Sequence, residues 1–311
     1  MGLSMRKNNN RGTVGLDLDG GFISAVQATA DGVARAASFD LAPGVISDGE
    51  VTDVNALTEG LRDFFKETGL PRRVRLGIAN QQIVVRQLDI PKMEEEHERA
   101  AAVRFQAAEA IAMPLDEVVL DYQIIGEVQS PEGSPRLRVV VVAARESMIS
   151  RIVEAVRDAG LRPEGIDLNA FALVRTLAVP TDSTEETARV YCHLGGVTNL
   201  AIAIGTTCLF TRPLSAQWDQ DDDQVANTLA EEIRLSIDFY MAQPEARWVG
   251  EIVLSGPGSR REGLADSLSG LIEVPVTVAE PLGRLQTAKL PSDEDPTRHT
   301  IAAGLALGAV A

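Results

Sequence analysis

The side chains best able to ligate a metal or attack a carbonyl are few. The sequence holds three histidines, His97, His193 and His299, and two cysteines, Cys192 and Cys208. The histidines lie far apart, and none stands near a cysteine at zinc-ligand spacing. His97 sits in the acidic run Glu94-Glu95-Glu96-His97-Glu98, which reads as a solvated helix start. Cys192 and Cys208 read as small core residues on neighbouring strands rather than a redox pair. No Gly-x-Ser-x-Gly elbow occurs, and no GxxxxGK[ST] phosphate loop. Ordinary hydrolase, metalloenzyme and P-loop ATPase chemistry therefore lack support. What does recur is a glycine turn after an apolar run: Gly20-Gly21, then Gly195-Gly196, then Gly256-Pro257-Gly258.

Those turns need elements to hold them. Residues 13–19 and 22–28 alternate apolar and polar positions around Gly20-Gly21, a hairpin pattern. A third strand follows the turn Asp31-Gly32. Val54, Leu57, Leu61 and Phe64/Phe65 then recur at helical spacing, closed by Gly69 and Pro71. The same order returns at 189–194, 197–204 and 208–211, with turns at Gly195-Gly196 and Gly205. An amphipathic helix through Val225, Leu229, Ile233 and Ile237 follows. Two similar α/β halves are implied. Between them, 74–78 and 83–88 read as strands. A helix then runs to about Ala112, with Ala100, Val103, Ala107 and Ile111 on one face. Two more strands, 118–125 and 137–144, flank the turn at 130–135, and 139–142 is apolar throughout. This is a β-α-β-β insertion with its own core. Next come a helix through Ile149, Ile152, Val153 and Val156, and another that Asp167 would cap. Residues 251–254 form a strand. Ser259 with Glu262 suggests a capping box for the helix of Leu264, Leu268 and Leu271. Residues 300–307 form a helix of small side chains, suited to close packing on a sheet.

Length, 311 residues, suggests about two domains. Basic residues number 29 and acidic residues 45, a formal charge of −16. That balance argues against nucleic acid and against unaided binding to anionic lipid. The acidic run at 219–223 belongs in a solvated loop ahead of a helix N-terminus. The polar N-terminus lacks an apolar signal core, and two cysteines suit a reducing compartment. No apolar run approaches a membrane span.

Four stretches in order resemble the PilM family, the cytoplasmic actin-like protein of type IV pilus assembly. They are Val84-Val85-Arg86-Gln87-Leu88-Asp89-Ile90-Pro91, residues 110–123, Arg157-Asp158-Ala159-Gly160-Leu161-Arg162-Pro163, and Ile233-Arg234-Leu235-Ser236-Ile237-Asp238-Phe239-Tyr240. The resemblance covers roughly 13–308. It implies an α/β, actin-like (RNase H-like) two-lobe fold with an FtsA/PilM-type, SHS2-type insertion. The lobes would be 13–73 with 148–187, and 188–311; the insertion would be 74–147. Residues 1–12 would be disordered, the second lobe shortened at 214–229, and helix 298–311 returned to the first lobe. The implied function is an adaptor at the inner face of the cytoplasmic membrane. It would bind the N-terminal tail of a PilN-like membrane protein, between insertion and first lobe, and connect it to the pilus motor ATPases.

The resemblance also implies ATP with magnesium, held by the backbone amides of two glycine hairpins, with the third turn against the adenosine. The matching positions are Asp17, Asp19, Gly20, Gly21, His193, Gly195, Gly196, Ser255, Gly256 and Gly258. Four departures argue against a working site. Asp19 stands where the family has glycine, and Ser24 where it has a phosphate-facing lysine. His193 replaces an aspartate, and the helix expected within 214–229 is missing. An added carboxylate and a lost cation both disfavour polyphosphate. The expected protein is thus not an enzyme, with no metal and a vestigial nucleotide site. Its partner groove would be rimmed by Arg86, Arg104 and Tyr122, which a core does not require. The competing readings are an active actin-like ATPase that switches or polymerises on ATP, and a GspL-like type II secretion component. The latter family continues into a membrane helix, which is not seen before Ala311. A sugar-kinase relative lacks its acidic motif.

Overall fold

The computed structural model describes residues 12–29, 32–179, 187–218, 224–243, 246–283, 285–287, 290 and 294–308. The polar tail at 1–11, Asp31 of the Asp31-Gly32 turn and the acidic run at 219–223 lie outside the described residues. In chain order the elements begin β1 Val14–Leu18, β2 Phe22–Thr29, β3 Gly32–Asp40, β4 Ile46–Ser47, β5 Glu50–Val51, α1 Val54–Thr68 and β6 Arg73–Ile78. Then come β7 Val84–Pro91, α2 Glu96–Ala110, β8 Val118–Gln129, β9 Pro135–Arg145 and α3 Glu146–Asp158. The rest are β10 Arg162–Leu168, α4 Asn169–Leu177, β11 Ala188–His193, β12 Asn199–Ile204, β13 Thr207–Pro213, α5 Val225–Met241, β14 Val249–Ser255, α6 Leu264–Ile272, β15 Val276–Val278, β16 Gln286–Thr287 and α7 Thr300–Leu307. Residues Gln81–Val153 make one compact unit, and the remainder makes another.

The larger unit contains two mixed sheets of matching plan. One runs β10-β6-β1-β2-β3-β16 and the other β13-β12-β11-β14-β15. In each, a glycine turn joins an antiparallel pair: β1 with β2, and β11 with β12. A parallel strand lies on the far side of each first strand, β6 on β1 and β14 on β11. Helix α1 forms because Asp53 accepts the Ala56 N–H at 2.9 Å and Gly69 closes it at φ 60°. Its buried stripe is Leu57, Leu61, Phe64 and Phe65. Helix α7 is buried from Thr300 to Ala306. Ile301 and Leu305 pack with Leu173, Tyr191 and Ala201, while Ala302, Ala303 and Ala306 pack with Val26, Ala28 and Val33. The approach is close enough that a Cβ on Gly15 would overlap the Ala302 carbonyl, and one on Gly304 the Ala172 carbonyl.

In the smaller unit the sheet order is β7-β9-β8. α2 packs over β7, and Val103, Ala107 and Ile111 meet Val139, Val141 and Ala143. The central strand is buried at Val139, Val140 and Val141, as its unbroken apolar run predicts.

Several expectations need correction. β6 does not belong to the insertion. Its residues Val74, Leu76 and Ile78 lie between β1 and β10, so the smaller unit spans 81–153 rather than 74–147. A short link to β7 imitates a hairpin, but β6 pairs only in parallel, with β1 and β10. β16 joins the first sheet beside β3, so 188–311 is not wholly a second lobe. The capping box fails: Ser259 Oγ donates to the Gly256 carbonyl, and α6 starts after Gly263 in the left-handed region. Asp167 does not cap α4; it accepts from Arg175 at 3.0 Å and the Leu168 N–H at 2.9 Å. Ala100 is exposed. Cys192 and Cys208 lie on β11 and β13, separated by β12, and both are free thiols.

Candidate functional site

Three glycine turns converge at the ends of β1, β11 and β14. Asp17, near the end of β1, is 1% exposed and accepts from Asn169 Nδ2 at 3.2 Å. Asn169 opens α4, and its Oδ1 is buried without a hydrogen-bond partner. Burial, and then the neighbouring Asp19 charge, push the Asp17 carboxyl well above its ordinary range. Its protonated form is therefore favoured by the fold.

Asp19 begins the first turn, and its carboxylate reaches across to the second. Its Oδ2 accepts the Gly196 N–H at 2.6 Å, and its Oδ1 the Gly21 N–H at 3.3 Å. Burial raises its pKa, opposed by amides of Gly196, Gly21 and Gly20 and by Arg298. The two turns touch: a Cβ on Gly196 would overlap the Gly20 nitrogen, and one on Gly195 would sit 2.5 Å from Asp19 Oδ2. His193, at the end of β11, is 3% exposed. Its Nδ1 shares a hydrogen bond with Ser255 Oγ at 3.0 Å. Burial pushes its pKa down to about 4, so the ring is neutral. The third turn is tied to the second, with Gly258 donating its N–H to the Leu194 carbonyl at 3.0 Å. Gly256 sits at φ 82°, where a side chain would strain the backbone and strike the Leu194 carbonyl at 2.7 Å.

The structure thus assembles Asp17, Asp19, Gly20, Gly21, His193, Gly195, Gly196, Ser255, Gly256 and Gly258 around one junction. It adds three residues that sequence reasoning missed. Trp218 donates its indole N–H to the Gly195 carbonyl at 2.8 Å, and its ring lies where a Cβ on Gly258 would be. The signal available was a tryptophan close behind the strand of the second glycine turn. Asn169 faces Asp17. His299 Nδ1 shares a hydrogen bond with Ser24 Oγ at 2.8 Å, and its Nε2 lies 3.2 Å from Glu294. Glu294 also accepts from Ser38. The position expected to carry a lysine is therefore built into a buried polar network. Among the described residues, no group of three His, Cys, Asp or Glu side chains is placed to hold a metal ion.

The partner-groove residues lie in the smaller unit and do not converge on one point. Arg86 and Tyr122 both pair with Val141, from opposite edges of the sheet. Arg104, on α2, donates to the Leu115 carbonyl at 3.0 Å, ahead of β8. The β8 edge carries the apolar row Val118, Leu120, Tyr122 and Ile124. The first three flank the core, and Ile124 is 43% exposed.

The family model of the type IV pilus assembly protein PilM matches residues 22–213 and 224–310. A solved structure described as the PilM-PilN type IV pilus biogenesis complex aligns at TM-score 0.78 and 22% identity. The alignment covers 97% of this chain and 99% of that one. The cytoplasmic domain of EpsL, an inner-membrane component of the Vibrio cholerae type II secretion system, aligns at TM-score 0.51 and 14% identity, over 95% and 94% of the chains. The ethanolamine utilization protein EutJ of Carboxydothermus hydrogenoformans aligns at TM-score 0.51 and 12% identity, over 95% and 89%. These likenesses establish an actin-like fold, with its paired mixed sheets.

Proposed function

The chain belongs to the family of the type IV pilus assembly protein PilM, and from that premise we propose that it is an adaptor. It binds the N-terminal tail of a PilN-like membrane protein and links that protein to the pilus machinery, without turning over ATP. The family match across almost the whole sequence is the observation that carries this reading. Among the described residues, no helix is long and apolar enough to cross a membrane. A chain of charge −16 is repelled by anionic lipid, so recruitment runs through a protein tether.

The tail docks in extended form along the free edge of β8. There it gains main-chain hydrogen bonds and buries alternate side chains against Leu120, Tyr122 and Ile124. Arg104 lies beside the start of that edge. Arg86, on the opposite edge strand, contributes least. The test is fluorescence anisotropy with a labelled synthetic PilN-like tail. Arg104→Glu and Tyr122→Ala should each weaken binding about tenfold, or ~1.4 kcal/mol, with circular dichroism unchanged. If both bind as the parent does, the docking edge is wrong. If the parent does not bind the tail, the adaptor reading is wrong.

A further inference from the structure

An actin-like fold implies a magnesium-nucleotide cleft, and the residues at this junction do not fit one. Backbone N–H groups at a glycine turn cradle an anionic oxygen, but here an oxygen of the chain itself is already in place. Asp19 Oδ2 holds the Gly196 N–H at 2.6 Å. The two turns approach closely at Gly20 and Gly196, with both Asp19 carboxylate oxygens between them, so a phosphate finds no room on these amides while that side chain is in place. The third turn is filled in the same way. The Trp218 indole lies against Gly258, where any side chain would collide with it, and its N–H is spent on the Gly195 carbonyl. The Trp218 carbonyl in turn accepts from Arg261 at 2.9 Å. Ser24 and His299 occupy each other.

We infer that the chain fills its own cleft, with the Asp19 carboxylate in the anion position and the Trp218 ring on the third turn, so that the junction is closed without nucleotide. This rests on the family reading only in treating the three turns as the counterpart of a nucleotide cleft. Side chains that substitute for phosphate and base make the closed arrangement permanent, and partner binding is then not gated by ATP.

The test uses the full chain. Trp248 is the other of the two tryptophans, so a Trp248→Phe background makes Trp218 the sole indole emitter. In that background, millimolar magnesium-ATP should leave Trp218 emission unchanged. The Gly196 amide should exchange at least tenfold more slowly than in Asp19→Gly. Asp19→Asn, which keeps shape and one acceptor, should fall between. Pyrophosphate should bind Asp19→Gly at least tenfold more tightly than the parent, because the vacated amides accept it. Saturable quenching of Trp218 by micromolar magnesium-ATP in the parent overturns the inference. So does equal Gly196 exchange in the parent and Asp19→Gly, or equal pyrophosphate affinity. Tail binding by the same parent sample reports on the adaptor reading separately, because it does not depend on how the cleft is filled.

Discussion

Asp17 and His193 are both buried beside the junction, and they pull the pH dependence of stability in opposite directions. Asp17 has a folded pKa above its ordinary 3.8, so the folded state holds its proton more tightly than the unfolded chain does. The resulting stabilisation is complete below pH 3.8 and fades as pH rises through the folded value. His193 falls from 6.5 to about 4 on folding. Its neutral form stabilises above pH 6.5, and that contribution drops by about 3 kcal/mol as pH falls to 4. Asp17→Asn mimics the protonated acid and should raise the melting temperature at pH 7 by a few degrees, while steepening the loss between pH 6.5 and 4. His193→Asn should flatten that loss. Thermal melts at several pH values check both, and a lower melting temperature for Asp17→Asn at pH 7 counts against an Asp17 carboxyl destabilised by burial. Asp19 marks how far sequence reaches at this scale. Its type already argued against polyphosphate. That its carboxylate meets an amide 177 positions away was not readable, because nothing local encodes so distant a contact.

Among the elements, the ones written in a local pattern were legible and the ones defined by distant partners were not. The glycine hairpins, α1 with its Gly69 cap, and β9 with its unbroken apolar run at 139–142 each carry their own signal. β6 carries only an apolar run, and which sheet it enters depends on β1 and β10. α6 looked capped because Ser259 and Glu262 have the right spacing, yet a short 3₁₀ turn at Pro257–Arg260 takes up Ser259. α7 shows how small side chains translate into energy. Gly304→Ala would press a methyl into the Ala172 carbonyl and Thr176 Oγ, and should cost about 1–3 kcal/mol. Gly270→Ala, inside α6, meets nothing within 4 Å and should stabilise by about 0.5–1 kcal/mol. Denaturant melts of the two variants side by side would test the contrast; equal midpoints would mean that α7 can yield where the geometry says it cannot.

At the scale of the whole molecule, the duplicated plan of the larger unit was visible as two occurrences of one turn-and-strand order. The insertion was visible as a β-α-β-β pattern, but its boundary was misread by one strand. The difference is testable by excision. Joining Asn80 to Glu146 through a short Gly/Ser linker keeps β6 and the whole of α3, and should leave a cooperatively unfolding larger unit. Removing 74–147 instead deletes the strand between β1 and β10 and should leave only aggregate. Calorimetry of the two truncations decides whether β6 belongs to the insertion or to the larger unit. The placement of α7 also bears on how the protein is made. Its partners β1 and β2 leave the ribosome early, yet the helix that covers them is encoded at 300–307. Until residues 300–307 are made, the first sheet presents Val26, Ala28 and Val33 without that cover. Folding of that half is therefore completed only once residues 300–307 have been synthesised, and until then its apolar face is open to non-native contacts.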